Sequence, residues 1–102
     1  MKIAIASEGK DKKAKVDIRA GRAPYYLIFD ETKNLSETIS NPFSIGSGGA
    51  GFSVAKMLAD KDVNLVIAGE FGGKMVDAMK ERGLESHEFT GTVEEALDNF
   101  IK

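Results

Sequence analysis

Two glycine-rich stretches and a pair of arginines are the parts of this 102-residue chain whose residue types and spacing could do chemistry. Gly46-Ser47-Gly48-Gly49-Ala50-Gly51 stands between a strand-like and a helix-like segment, where bare amides and the positive end of a helix dipole can cradle an anion. No Gly-Lys-Ser/Thr closes it, so it is not a P-loop, and its glycines lack the dinucleotide spacing. The same residues would also suit a turn that only lets helix and sheet pack closely. Gly69-Glu70-Phe71-Gly72-Gly73-Lys74 repeats the arrangement after the next strand. Two such turns at the carboxyl ends of neighbouring parallel strands would flank one crevice, where open sheets bind ligands. Arg19 and Arg22 bracket Gly21 just ahead of another strand. Their guanidinium groups suit a polyanion such as a phosphate, an oxometallate or a sulfide-bridged cluster, or else they pair as solvated loop charges with acids such as Asp17.

Other candidates are thinner. His87 is the only histidine, and without partner ligands it fits a packed or surface side chain better than a metal site. Met57, Met75 and Met79 fall at helical core spacing, where packing explains them, although a thioether beside a crevice can bind soft copper. Glu70, Asp77, Glu81, Glu94 and Glu95 read as rim, helix-surface and capping groups rather than as a magnesium-binding set, and Ser7 has no histidine and acid patterned around it. The residues therefore predict no catalytic constellation.

The elements that must position these groups follow from periodicity. Lys2 to Ser7 is a short apolar run of the buried central kind. The lysine-rich segment from Glu8 to Lys15 has no period and reads as a solvated loop, whose Lys10, Lys12 and Lys13 could dock an acidic partner. Tyr25 to Asp30 and Leu35 to Ser40 form a hairpin, the first strand buried on both faces and the second a half-exposed edge that could bind a protein partner. A helix from about Gly51 to Lys61 follows, then a strand over 64–68, then a helix marked by Met75, Val76 and Met79 that Gly83 would close in a left-handed cap. A weaker strand over 85–89 precedes Thr92-Val93-Glu94-Glu95, a capping box that opens the last helix. Three strands followed by helix, strand, helix, strand, helix predict an α/β fold: a ribonuclease-H-like mixed five-stranded sheet with an antiparallel hairpin region, then parallel crossovers, flanked by three helices. A flavodoxin-like wound sheet is the alternative, which the early hairpin disfavours.

Composition bounds the rest. The chain is 42% hydrophobic and 29% charged, which predicts one compact domain over 1–102. A core of this size buries roughly 60–65% of the unfolded surface. The absence of cysteine removes thiolate ligation and disulfides and fits a cytoplasmic protein. No apolar run approaches the roughly 20 residues of a membrane span, and a net charge of −2 gives no global field for nucleic acid.

Several segments together resemble the dinitrogenase iron-molybdenum cofactor biosynthesis family, which includes NifX-like accessory proteins. They are Met1 to Ser7, Gly21-Arg22-Ala23-Pro24-Tyr25-Tyr26, Asn41-Pro42, Gly48-Gly49-Ala50-Gly51 and Thr92-Val93-Glu94-Glu95-Ala96. The resemblance spans nearly the whole chain. It implies non-catalytic binding or carriage of an anionic metal-sulfur cluster, an iron-molybdenum cofactor precursor or a molybdenum-copper species, in the company of metal-cluster assembly or target proteins. A regulatory adaptor that binds a protein partner is the alternative, and the chain is expected to be a monomer or weak dimer. Ser47 stands where family members often carry a histidine, and Ala20 where an aromatic is usual. A cluster here would then be held by Arg19, Arg22, Ser47 and the backbone at Gly48, Gly49, Gly51, Gly72 and Gly73, with His87 as a weak metal ligand.

Overall fold

The computed structural model describes residues 1–46 and 48–101. Its elements run β1 (Lys2–Ser7), β2 (Tyr25–Asp30), β3 (Leu35–Ser40), α1 (Ala50–Asp60), β4 (Leu65–Ala68), α2 (Gly73–Glu81), β5 (Glu85–Glu88) and α3 (Val93–Phe100). The five strands form one mixed sheet in the order β3-β2-β1-β4-β5. Pairing is antiparallel for β1 with β2 and for β2 with β3, and parallel for β1 with β4 and for β4 with β5. The predicted mixed five-stranded sheet and its three helices are present, and the strand order is compatible with a ribonuclease-H-like arrangement. Among the described residues no helix is long and apolar enough to cross a membrane.

Residue size assigns the two faces of the sheet. Ala4, Ala6 and Ala68 lie with Tyr26, Ile28, Val54, Leu58, Met75 and Met79 in the cluster under α1 and α2, where small strand residues leave room for two helices. Ile3, Ile5, Leu27, Phe29 and Ile67 fill the other face beneath α3, which contributes Val93, Ala96 and Leu97. β2 is buried on both faces as expected. Met75 and Met79 are core side chains, and Met57 packs partly buried against the same cluster.

The edge strand departs from simple alternation. Ile28 pairs with Glu37 but Phe29 pairs with Leu35, so Ser36 is bulged out and Leu35 moves to the face of Phe29 while Ile39 stays on the face of Tyr26. Only Ile39 of β3 is buried. The bulge and the charge of Glu37 blunt this edge against strand addition. The lysine loop is exposed, yet Lys10 and Lys12 lie over the rings of Tyr25 and Phe29 at 5.4 and 5.8 Å.

Helix ends follow local chemistry. Thr92 accepts from the Glu95 amide at 3.1 Å, and Glu95 accepts from the Thr92 amide at 2.9 Å, which completes the expected capping box. Gly83, at φ 74°, closes α2 with its amide on Lys80 and the Leu84 amide on Met79.

Candidate functional site

The strand directions bring the sequence motifs to one end of the molecule. β1, β3 and β4 run the same way and β2 runs against them, so the segment entering β2 and the segments leaving β3 and β4 share one rim. The two glycine turns do not follow neighbouring strands, as the sequence suggested: β2 and β1 lie between β3 and β4. Helix packing closes that gap. A Cβ on Gly51 would come within 2.8 Å of the Met75 Cβ, so α1 and α2 touch backbone to side chain at their first turns and their amino termini converge.

Backbone bonds fasten three loops around that convergence. The Gly69 and Glu70 amides donate to the carbonyls of Asp17 and Ile18, and the Ala20 amide donates to Glu70. The Asn41 side chain is buried and donates to the carbonyls of Gly21 and Ala23, on either side of Arg22, at 3.2 and 2.9 Å. Its Oδ1 accepts from the Phe43 amide at 2.9 Å, and the Phe43 carbonyl accepts from Arg22 Nη1 at 3.0 Å. Asn41 thus fixes both the backbone that carries Arg22 and the carbonyl that aims its guanidinium. Beneath the loops, the Tyr26 hydroxyl donates to the Ala20 carbonyl. Burial pushes the Tyr26 phenol well above its ordinary range, and the Asp17 carboxylate pushes the same way.

Two adjoining cavities open at this rim. The larger, about 290 Å³, is lined by Gly21, Arg22, Gly49 to Phe52, Gly72, Lys74 and Met75. The smaller, about 200 Å³, shares Arg22, Gly49 and Ala50 and adds Gly46 and Gly48. Among the described residues the first amides of each helix beside these cavities have no backbone partner: Ala50, Gly51 and Phe52 in α1, and Gly73, Lys74 and Met75 in α2, precede the first intrahelical bonds, made by Ser53 and Val76. Neither terminus has a side-chain cap, whereas α3 does. With Arg22 and Lys74 beside them, these donors suit an anion.

The two readings of the glycines divide by position. Gly51 is a packing glycine, required by Met75, and Gly49 holds a left-handed conformation at φ 88° that sets the start of α1. Gly48, Gly72 and Gly73 have ordinary φ values, and a Cβ at any of them would meet nothing within 4 Å. Open space, rather than packing or conformation, is what their missing side chains leave.

Arg22, Gly48, Gly49, Gly51 and Gly72 are therefore brought together, and Gly73 follows as the first residue of α2. Ser47 lies outside the described residues. Arg19 is not brought in: its extended segment bridges to Glu70 and turns the side chain out, 67% exposed, with Nε 3.7 Å from Asp17 Oδ1. The ion-paired reading holds for it. His87 is not brought in either, because β5 presents it to α3, its ring centroid 5.1 Å from that of Phe100, and the cavity it lines includes Met1 and Leu65 at the opposite end of the sheet. Glu85 is its nearest acid, at 3.8 Å. Among the described residues no group of three or more His, Cys, Asp or Glu side chains could hold a metal ion. The sequence motifs contained Lys74 and Asn41 but assigned neither a role in the site. A lysine directly after Gly72-Gly73 at a helix start was a readable signal for the first, whereas the second acts through long-range backbone bonds that no local pattern carries.

Comparison with known proteins places the chain in context. A profile described as dinitrogenase iron-molybdenum cofactor matches residues 1–102. The apo form of the orange protein from Desulfovibrio gigas is 30% identical and superimposes with a TM-score of 0.90, the match covering 97% of this chain and 85% of that one. A candidate NifB protein of the DUF35 family from Thermotoga, solved by NMR, is 36% identical with a TM-score of 0.82 over the same shares of both chains. None of the curated proteins matches.

Proposed function

The chain belongs to the dinitrogenase iron-molybdenum cofactor family, and from that premise we propose that its rim cavity carries an anionic metal-sulfur cluster without catalysing a reaction on it. The observation that carries this reading is the convergence of two uncapped helix amino termini with Arg22 and Lys74 on two adjoining cavities, where Gly48 in the smaller and Gly72 in the larger leave space. Sulfide and oxo groups on such a cluster accept hydrogen bonds, and the cavity offers donors and positive charge. Among the described residues its lining presents no thiolate, imidazole or carboxylate, and its one thioether, Met75, is almost wholly buried in the core, so the cargo is gripped through its anionic surface rather than through its metals. That grip suits release as well as capture, and the cargo would pass between this chain and metal-cluster assembly or target proteins. An iron-molybdenum cofactor precursor or a molybdenum-copper-sulfur species would meet the same donors. No step of this function needs an acid-base pair.

The test is anaerobic titration of the purified chain with tetrathiomolybdate, alone and with copper, and with phosphate, read by visible absorption and by thermal shift. Saturable binding of the metal-sulfur species that raises Tm, and that Arg22→Ala and Lys74→Ala each weaken, is the expected result. Binding of phosphate alone would redirect the reading to an enzyme of phosphorylated small molecules.

A further inference from the structure

A groove of about 550 Å³ runs beside the rim cavity, floored by Pro42, Phe43, Phe52 and Met57 and edged by Lys56, Asp60 and Lys61. It is continuous with the site just described: Phe43 and Ser53 line both the groove and the smaller cavity, and Phe52 lines both the groove and the larger one. We propose that this groove docks a partner protein that presents an apolar side chain flanked by carboxylates.

Three observations fix that chemistry. Phe52 is 51% exposed, a large cost in apolar surface for a residue on a helix that otherwise buries Val54, Ala55 and Leu58, and Ile45 close by is 91% exposed. Cations outnumber acids around the groove although the chain carries −2 overall: Lys56 and Lys61 line it with a single acid, Asp60, the Arg82 guanidinium lies 4.9 Å from the Phe52 ring centroid, and Lys74 and Arg22 line the adjoining cavities. Aromatic and arginine side chains together are what interface centres favour. Finally, the groove lysines already hold carboxylates, Lys56 on Asp60 at 3.0 Å and Lys61 on Glu37 at 2.6 Å. Exposed pairs of this kind contribute little, so a partner's carboxylates can replace them. A concave groove takes a protruding side chain, which favours a protein over a flat lipid surface. Docking stands apart from the carrier reading; only its consequence, that the partner would cover the cargo at hand-off, rests on it.

The experiment titrates the 15N-labelled full chain, without cargo, with a synthetic amphipathic peptide bearing leucine and phenylalanine on one face and glutamate on the other. Its lysine-for-glutamate counterpart and phosphatidylglycerol vesicles serve as comparison arms. Amide shifts centred on Phe43, Phe52 and Met57 with the acidic peptide only, and a loss of affinity of about tenfold or more in Lys56→Glu/Lys61→Glu, are expected. Neither lysine lines the rim cavities, so tetrathiomolybdate binding serves as a separate readout: its failure counts against the carrier reading and leaves docking standing. Absence of shifts in the groove, equal binding of the basic peptide, unchanged affinity in the double variant, or binding to the vesicles instead would overturn the proposal.

Discussion

Replacing Gly72 with alanine separates binding from stability in a way that the geometry quantifies. Gly72 caps α2 at φ −68° and ψ 150°, values alanine adopts freely, and its added Cβ would meet nothing within 4 Å. Alanine is a poorer N-cap than glycine by some tenths of a kcal/mol. Against this, the unfolded chain loses about 0.4–1 kcal/mol of conformational freedom, so the net change in folding stability should stay within about 0.5 kcal/mol. The methyl group instead enters the 290 Å³ cavity, where it holds an anion away from the free amides of Gly73 and Lys74. Loss of one charge-assisted hydrogen bond, about 1.5–3 kcal/mol, corresponds to roughly a 10- to 100-fold weaker Kd. Gly51→Ala is the reciprocal control. Its Cβ would sit 2.8 Å from the Met75 Cβ, a clash of about 1–3 kcal/mol that the roughly 1 kcal/mol gain in helix propensity only partly offsets. The net loss of up to about 2 kcal/mol should lower Tm by about 4–8 °C for each kcal/mol. Thermal denaturation paired with tetrathiomolybdate titration of both variants measures all four quantities. If Gly72→Ala binds as tightly as the parent chain, the open space at Gly72 is not where the cargo sits and the reasoning fails.

Three further outcomes follow from buried and capped polar groups. Asn41→Ala leaves the Gly21 and Ala23 carbonyls and the Phe43 amide without their partner, which should cost about 2–4 kcal/mol in urea denaturation and weaken cargo binding even where the protein remains folded, because Arg22 loses its aim. Tyr26→Phe strips the donor from the Ala20 carbonyl and should cost about 1–3 kcal/mol. Because the folded-state phenol is raised, its stabilisation is complete below the unfolded value near pH 10 and is lost as pH rises beyond it. Spectrophotometric titration should therefore find one of the two tyrosines silent until the chain unfolds, and ionisation of both before unfolding would contradict this. Asp30 is held below the usual carboxylate range, first by the Thr32 hydroxyl and then by the Asn34 amide. Its contribution is present above the unfolded value near 3.9 and disappears as pH falls through the lower folded value, so the Tm difference between the parent chain and Asp30→Asn should close below about pH 4.

Much was legible in the sequence because its causes are local. Alternation and short apolar runs specify β1, β2 and β4, the Thr92 to Glu95 capping box places the start of α3 through bonds within four residues, and Gly83 marks the end of α2 by its left-handed conformation. The order of strands and helices then leaves few mixed sheets to choose from, and the motifs from Met1 to Ala96 determine the family. What local patterns could not decide is which groups meet. Arg19 and Arg22 look equivalent in sequence, yet a bridge to Glu70 turns one to solvent while Asn41, distant along the chain, turns the other into the cavity. Gly51 and Gly72 are likewise the same residue type in similar turns, and only the contact with Met75 makes one a packing element and the other a clearance. The bulge at Ser36 and the placement of His87 against Phe100 belong to the same class. Element identity comes from interactions a few residues long, whereas the site is the meeting of three loops and two helix ends, and that meeting is set by how α1 and α2 pack across a sheet whose relevant strands are not neighbours.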